Sequence, residues 1–225
     1  MKKIIALTIA VLLIASGAMA DEMLALYGLK GYAYTYSPLI VQGAYIQTGG
    51  IYSLFSSIDN QEGYTWAVPL SLTYGNGKWW EASIATHWEY WENTDFDVNE
   101  SGMGDVFAGG KLRLIGSSES APLDLSLMPY ILIPVNHDKS VGDLYPFNTI
   151  TENDMSYGIN LLLGKRWERF YLSANIGINY VDTDVTYSKD SSLFLGLALE
   201  YQISESWDSY IEFVNIENKN CSSCS

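Results

Sequence analysis

Cysteine is nearly absent from this sequence: the chain of 225 residues has two, Cys221 and Cys224, both in the terminal CSSCS. A bridge between them would close a loop too small to restrain much of the fold, so no disulfide framework is present. A redox role would need a helix amino end that the segment does not offer, and a metal site would need further ligands nearby. Residues 217–225 are therefore expected to form an unstructured tail. Histidine is as scarce, with only His87 and His137. Bases are few: 12 Lys and Arg stand against 26 Asp and Glu. Nucleic acid is excluded as a partner, because gripping a phosphate backbone needs the opposite sign. Also missing is any apolar run of about 18 residues beyond the first twenty, which excludes a helical membrane span.

What is present begins with MKKIIALTIAVLLIASGAMA. Two lysines precede a run from Ile4 to Ala15 that is apolar except for Thr8, and Ala18-Met19-Ala20 leads into Asp21-Glu22. This is the pattern of a secretory signal peptide over residues 1–20, so the mature protein is expected to begin near Asp21. No cysteine follows the cleavage site, which argues against a lipoprotein anchor. Without Lys2 and Lys3 the secreted part has 26 acids against 10 bases, a net charge of about −16. Aromatic residues make up 14% of the chain, with 17 tyrosines and 7 tryptophans, yet mean hydropathy is near neutral. Such a mixture suits surfaces that alternate between oil and water.

From Val41 onward the dominant period is two, the signature of strands with one apolar face. In WWEASIATHWEYW, Trp80, Ala82, Ile84, Thr86, Trp88 and Tyr90 oppose Glu81, Ser83, Ala85, His87 and Glu89. FYLSANIGINY and SLFLGLALEY repeat the pattern. Strands are expected near 42–56, 65–74, 79–91, 105–115, 122–135, 155–166, 169–182, 191–202 and 207–216. Many reach the length of about 9 to 11 residues that crosses a bilayer when tilted. Long polar connections (SIDNQEG, ENTDFDVNESGMG, 136–153, TDVTYSKD) alternate with short ones (GNGK, GSSESA, WE, SES), as in outer-membrane barrels. Aromatic residues gather at both strand ends: Tyr74, Trp79, Trp80, Trp167 and Phe170 by the short turns, Trp66, Tyr90, Trp91 and Tyr180 by the long loops. These are the two girdles of a membrane barrel. A secreted β-sandwich, whose apolar face would point at a core, is the competitor. Pro129 sits inside an otherwise good strand and cannot donate to the ladder, so a bulge is expected there.

The stretch GMGDVFAGGKLRLIG, Gly102 to Gly116, superficially resembles a phosphate-binding loop. It fails that test: Gly110 intervenes before Lys111, Leu112 stands where a hydroxyl is needed, and the residues alternate like a strand. Gly109 and Gly110 then serve curvature or space in mid-strand. Together with APLDLSLMPYILIPVNHD, this stretch resembles the outer-membrane family named for the meta-pathway of phenol degradation. The upstream TYSPLIVQGAYIQTGGIYS resembles that family's first strand. Where the family tends to have Pro-Thr-Gly-Asp, this chain has Pro134-Val135-Asn136-His137-Asp138. Members are described as candidate transporters, so the resemblance implies a barrel admitting small molecules, aromatic ones among them.

The expected fold is all-β: an antiparallel transmembrane barrel of about ten strands over residues 41–216. Nine strands would leave the carboxyl end outside, whereas bacterial barrels have even counts. Either the Met23–Tyr36 region of the segment 21–40 supplies an extra strand or fills the seam or lumen, or the gene product is shortened. Inside the lumen, hairpin arithmetic places Arg113 opposite Asp124 with Glu81 at the same level, giving a cluster of Glu81, Lys111, Arg113 and Asp124. Such a cluster either fills and rigidifies a narrow interior or forms a selectivity constriction. Tyr45, Tyr130, Tyr171 and Phe194 face inward as aromatic contacts for a solute. Ser83, His87 and Glu89 share a face as a formal triad, but neighbours at i and i+2 stand about 7 Å apart, too far for direct hydrogen bonds. No enzyme is expected, and no cofactor or metal. The acidic loops, with Asp95, Asp97, Asp138, Asp143, Asp182 and Asp190, include no calcium loop and are expected to be solvated. Expected partners are outer-membrane lipid, lipopolysaccharide and a small solute passing down its gradient. The rival expectation is a non-conducting barrel whose loops bind a partner.

Overall fold

The computed structural model describes residues 23–56, 62–93, 98–116, 123–135, 155–181, 191–204 and 207–218. The signal segment 1–20, the acidic connections and residues 219–225 lie outside them. Eleven strands follow in chain order: β1 (Gln42–Thr48), β2 (Ile51–Ser56), β3 (Glu62–Asn76), β4 (Trp80–Asn93), β5 (Val98–Met103), β6 (Val106–Ile115), β7 (Asp124–Ile133), β8 (Ser156–Trp167), β9 (Phe170–Val181), β10 (Ser191–Ser204) and β11 (Trp207–Asn218). They form one antiparallel sheet in the order β1-β3-β4-β6-β7-β8-β9-β10-β11, with β2 also on β3 and β5 also on β4. The sheet curls into a half-barrel, so the all-β expectation holds and the two-sheet sandwich does not. No helix among the described residues is long and apolar enough to cross a membrane.

Alternation decides which face is which. Ser71, Thr73, Glu81, Ser83, His87, Glu89, Ser173 and Asn175 on the concave side are buried, whereas Leu70, Leu72, Ile84, Ile176 and Leu197 on the convex side are exposed. Polar groups inside and large apolar groups outside invert the order of a water-soluble domain.

Three local expectations are corrected. The span 42–56 is two strands, because Gly49-Gly50 interrupts it; β1 and β2 keep one register on β3, from Gln42↔Asn76 through Thr48↔Leu70 to Ile51↔Ala67. The link ENTDFDVNESGMG contains β5, which continues the line of β6 along β4 with a one-residue slip at Gly104-Asp105. Pro129 makes no bulge: β6–β7 pairing passes from Gly109↔Tyr130 to Leu112↔Leu127 without a slip. The irregularity falls instead between Arg113 and Ile115, which leaves both Leu114 and Ile115 on the exposed face. Strand β11 also runs to Asn218, past the expected limit of 216.

Nine lines of strand make the path, and each runs antiparallel to its neighbours, so β1 and β11 point the same way. Among the described residues these two edges are not paired. The interior between them is occupied by residues 23–41, where Leu24, Ala25, Leu26, Tyr27, Leu29, Tyr32, Tyr36 and Val41 are buried. Each large apolar side chain buried in this way contributes about 1.5–3 kcal/mol.

Candidate functional site

The interior segment has little regular structure of its own, showing only the isolated bridges Leu24↔Lys30 and Gly31↔Tyr36. Buried backbone polar groups must find partners, and here the wall side chains supply many of them. Thr73 Oγ1 donates to the Gly28 carbonyl at 2.6 Å, Ser83 Oγ to that of Tyr27 at 2.8 Å, and Ser126 Oγ to that of Pro38 at 2.6 Å. Asn175 holds Tyr36 at both ends, its Oδ1 accepting the N–H at 2.6 Å and its Nδ2 donating to the carbonyl at 2.7 Å. At the two edges, Gln47 of β1 donates to the Leu24 carbonyl at 3.2 Å, and Glu212 of β11 accepts the N–H groups of Tyr34 and Thr35. Burial, with Glu212 beside it, pushes the Tyr34 phenol up to about 12, so it stays neutral.

Glu81 and Lys111 are at the centre of this grip. They face each other in register on β4 and β6 and form an ion pair of 2.6 Å with both side chains fully buried. The Glu81 carboxylate also accepts the N–H of Lys30 at 2.8 Å and of Val41 at 2.7 Å. Lys111 Nζ donates to the carbonyls of Lys30 and Leu39, each at 3.0 Å, so its three protons are all engaged. The pair therefore clasps the segment at two points about ten residues apart in sequence. Breaking it from one side would strand a buried charge, at a cost of about 3–5 kcal/mol.

Arg113 and Asp124 are not the opposed pair that hairpin arithmetic gave. The register is already displaced beside the turn, at Ile115↔Leu125, so Arg113 falls against Ser126, and Asp124 pairs with Gly164 on β8. Their side chains still approach to 4.0 Å, and Asp124 accepts the Tyr171 hydroxyl at 3.1 Å while Arg166 lies 5.2 Å from the centre of that ring. The predicted cluster is thus two pairs: a sealed one at Glu81–Lys111 and a looser one near the short turns. Among the predicted aromatics, Tyr130 and Phe194 belong to one buried cluster with Tyr36, Phe107 and Met128, and Tyr130 stacks on Phe107 at 5.9 Å. Tyr171 and Tyr45 lie elsewhere; Tyr45 is half-buried on β1 and donates to the Gln42 carbonyl.

His87 and Glu89 overturn the distance argument, since their side chains converge to 3.2 Å although their backbones are two residues apart. Gly104 allows it: a Cβ there would strike the His87 ring, which leans across the slip between β5 and β6. Ser83 does not join them, because its hydroxyl is turned to Tyr27 and Thr73.

Sequence periodicity placed the wall residues inward but missed Ser126, Asn175 and Glu212 as partners of the segment. Each is an ordinary polar residue on an inward face, and nothing local marks what it binds.

A family model described as "Putative MetA-pathway of phenol degradation" matches residues 91–218, more than half the chain. The chain belongs to that family. The match runs from the end of β4 to the end of β11 and includes the GMGDVFAGGKLRLIG stretch, while β1 to β3 and the interior segment precede it. No curated protein and no solved structure matches the chain.

Proposed function

We propose that this chain is an outer-membrane β-barrel of a Gram-negative bacterium, exported by the signal segment 1–20, that gives passive passage to small molecules, aromatic or apolar ones among them. No catalysis and no cofactor enter the proposal. The membrane setting is supported by the inverted faces of the sheet: a convex surface of Leu, Ile, Trp and Phe has no cover of its own, and lipid is the solvent that suits it. An apolar groove of about 430 Å³ over Ala174, bordered by Leu163, Ile176, Leu195 and Phe213, has the chemistry of an acyl chain. Family membership is compatible with this setting.

Passage requires the interior segment to move. Residues 23–41 are a single peptide held largely by side-chain bonds to its backbone, so it can leave without unpairing the sheet. The Glu81–Lys111 clasp is then the latch that keeps the route closed. A non-conducting barrel, stiffened by the same segment, is the second reading, and the filled interior favours it directly.

Uptake into liposomes separates the two. The mature protein would be refolded into vesicles beside Lys111→Met, with a heat-sensitive gel shift as proof of folding. A small aromatic acid and a sugar of similar size would be offered. Slow aromatic uptake by the native protein, accelerated at least about tenfold in the variant, is the expected result. Uptake by both folded proteins no faster than by empty vesicles would leave the non-conducting reading.

A further inference from the structure

We infer that the groove over Ala174 is the seat of one anionic phospholipid of the leaflet on the short-turn side, with an acyl chain in the groove and the phosphate on Lys165. The inference rests on the membrane setting proposed above and names a partner within it.

The groove follows from one small residue in a row of large ones. Ala174 of β9 pairs with Leu163 of β8 on one side and Leu197 of β10 on the other, and Leu197 pairs in turn with Phe213 of β11. All four lie on the convex face, so the missing bulk at Ala174 leaves a hollow of about 430 Å³ walled by hydrocarbon. Its rim residues Ile176, Leu195, Leu197 and Phe213 are exposed, so the hollow is open to whatever covers that face.

The rows toward the short turns say what the cover is. The first is Lys165↔Leu172↔Leu199 and the second is Trp167↔Phe170↔Tyr201. Trp167, Phe170 and Tyr201 are exposed and stand where a girdle meets the headgroups, with the rings of Phe170 and Tyr201 4.9 Å apart. Among the described residues, Lys165 is the one charged side chain on the convex face of β8, β9 and β10. Successive rows on one face are about 7 Å apart, so Lys165 lies midway between the girdle and the groove. A cation on a lipid-facing wall costs more the deeper it lies, and a lysine lowers that cost by carrying its ammonium along its stem toward the headgroups. The field of Lys165 reaches Asp124, but that carboxylate is on the concave side, where Arg113 and Arg166 share it and the Tyr171 hydroxyl bonds to it. A phosphate above the groove is the anion that the convex side offers. An anionic headgroup brings it alone, whereas a zwitterionic one brings its own ammonium in competition with Lys165. Lipopolysaccharide does not contend for the place, because it is confined to the outer leaflet and the short turns of such barrels face the periplasm. A second copy of this chain laid on these strands would fill the groove with hydrocarbon and bring Lys165 no anion.

The test adds palmitoyl-oleoyl phosphatidylglycerol or phosphatidylcholine to the refolded mature protein in detergent and counts the retained lipids by native mass spectrometry. The native protein should keep one phosphatidylglycerol at a concentration at least about tenfold below that needed for phosphatidylcholine. Lys165→Gln should remove this preference with the heat-sensitive gel shift intact, and Lys165→Glu should reverse it. Ala174→Leu, which fills the groove, should lower the retention of both lipids. Equal retention of the two by the native protein, a preference unchanged in Lys165→Gln, or a Lys165→Gln that no longer folds would each overturn the assignment. So would a native dimer that Ala174→Leu breaks, since a second copy would then hold the groove. Flotation with phosphatidylcholine vesicles reads the membrane setting separately. A folded protein that floats without a lipid preference loses only this site, whereas one that does not float loses the setting and the site together.

Discussion

At the scale of single residues, the interior segment is held by positions that tolerate no extra atoms. Gly28 has φ +89°, a conformation that side chains rarely adopt, and a Cβ there would land on the hydroxyls of Ser71, Thr73 and Ser83. The Thr73 and Ser83 hydroxyls are the ones that grip the Gly28 and Tyr27 carbonyls, so strain and lost hydrogen bonds coincide. Gly43, with φ +106° and nothing within 4 Å of a Cβ, isolates the backbone part alone. Gly43→Ala should cost about 1 kcal/mol, and Gly28→Ala about 3 kcal/mol, with residues 23–41 becoming open to protease. Urea midpoints and limited digestion of the two variants would check this; equal losses would mean that the wall yields around residue 28. The inward placement of Ser71, Thr73 and Ser83 could be read from period-two alternation. Their partner could not, because EMLALYGLKGYAYTY has no period of its own and its bonds are to side chains far away in sequence.

At the scale of elements, strand legibility followed the physics of the side chains. β4, β8, β9 and β10 alternate cleanly and were placed to within about two residues. β5, VNESGM, has no apolar stripe and reads as a loop; it becomes a strand because β4 extends past β6 and offers it a ladder. The turn between β8 and β9 shows a cost that alternation does not register. Trp167 pairs with Phe170, leaving Glu168 and Arg169 as a two-residue loop, and Glu168 is held at φ +50°. Such hairpins favour glycine at this position, and a side chain there costs about 1–2 kcal/mol. Glycine in turn loses about 0.5–1 kcal/mol of chain entropy. Glu168→Gly should therefore stabilise the hairpin by up to about 1 kcal/mol, seen as a later denaturant midpoint; a destabilised variant would show that the Glu168 side chain makes a contact worth more than its strain.

At the scale of the whole molecule, the odd number of strand lines among the described residues sets the problem that the interior segment answers. Nine antiparallel lines leave β1 and β11 running in the same direction, and these edges do not meet among the described residues. The segment touches both: Leu24 through Gln47 on β1, and Tyr34 and Thr35 through Glu212 on β11. If this peptide is what ties the edges, loosening one end must be felt at the other. Glu212→Ala leaves the β10–β11 ladder intact but removes the acceptor of two buried N–H groups, a loss of about 1–3 kcal/mol. Hydrogen exchange should then quicken over residues 23–41 and over β1, on the opposite edge, as well as over β11. Ser209→Ala, on the exposed side of the same strand, should leave β1 untouched. Faster exchange confined to β11 would mean that the edges are independent and that the segment fills the interior without joining its sides.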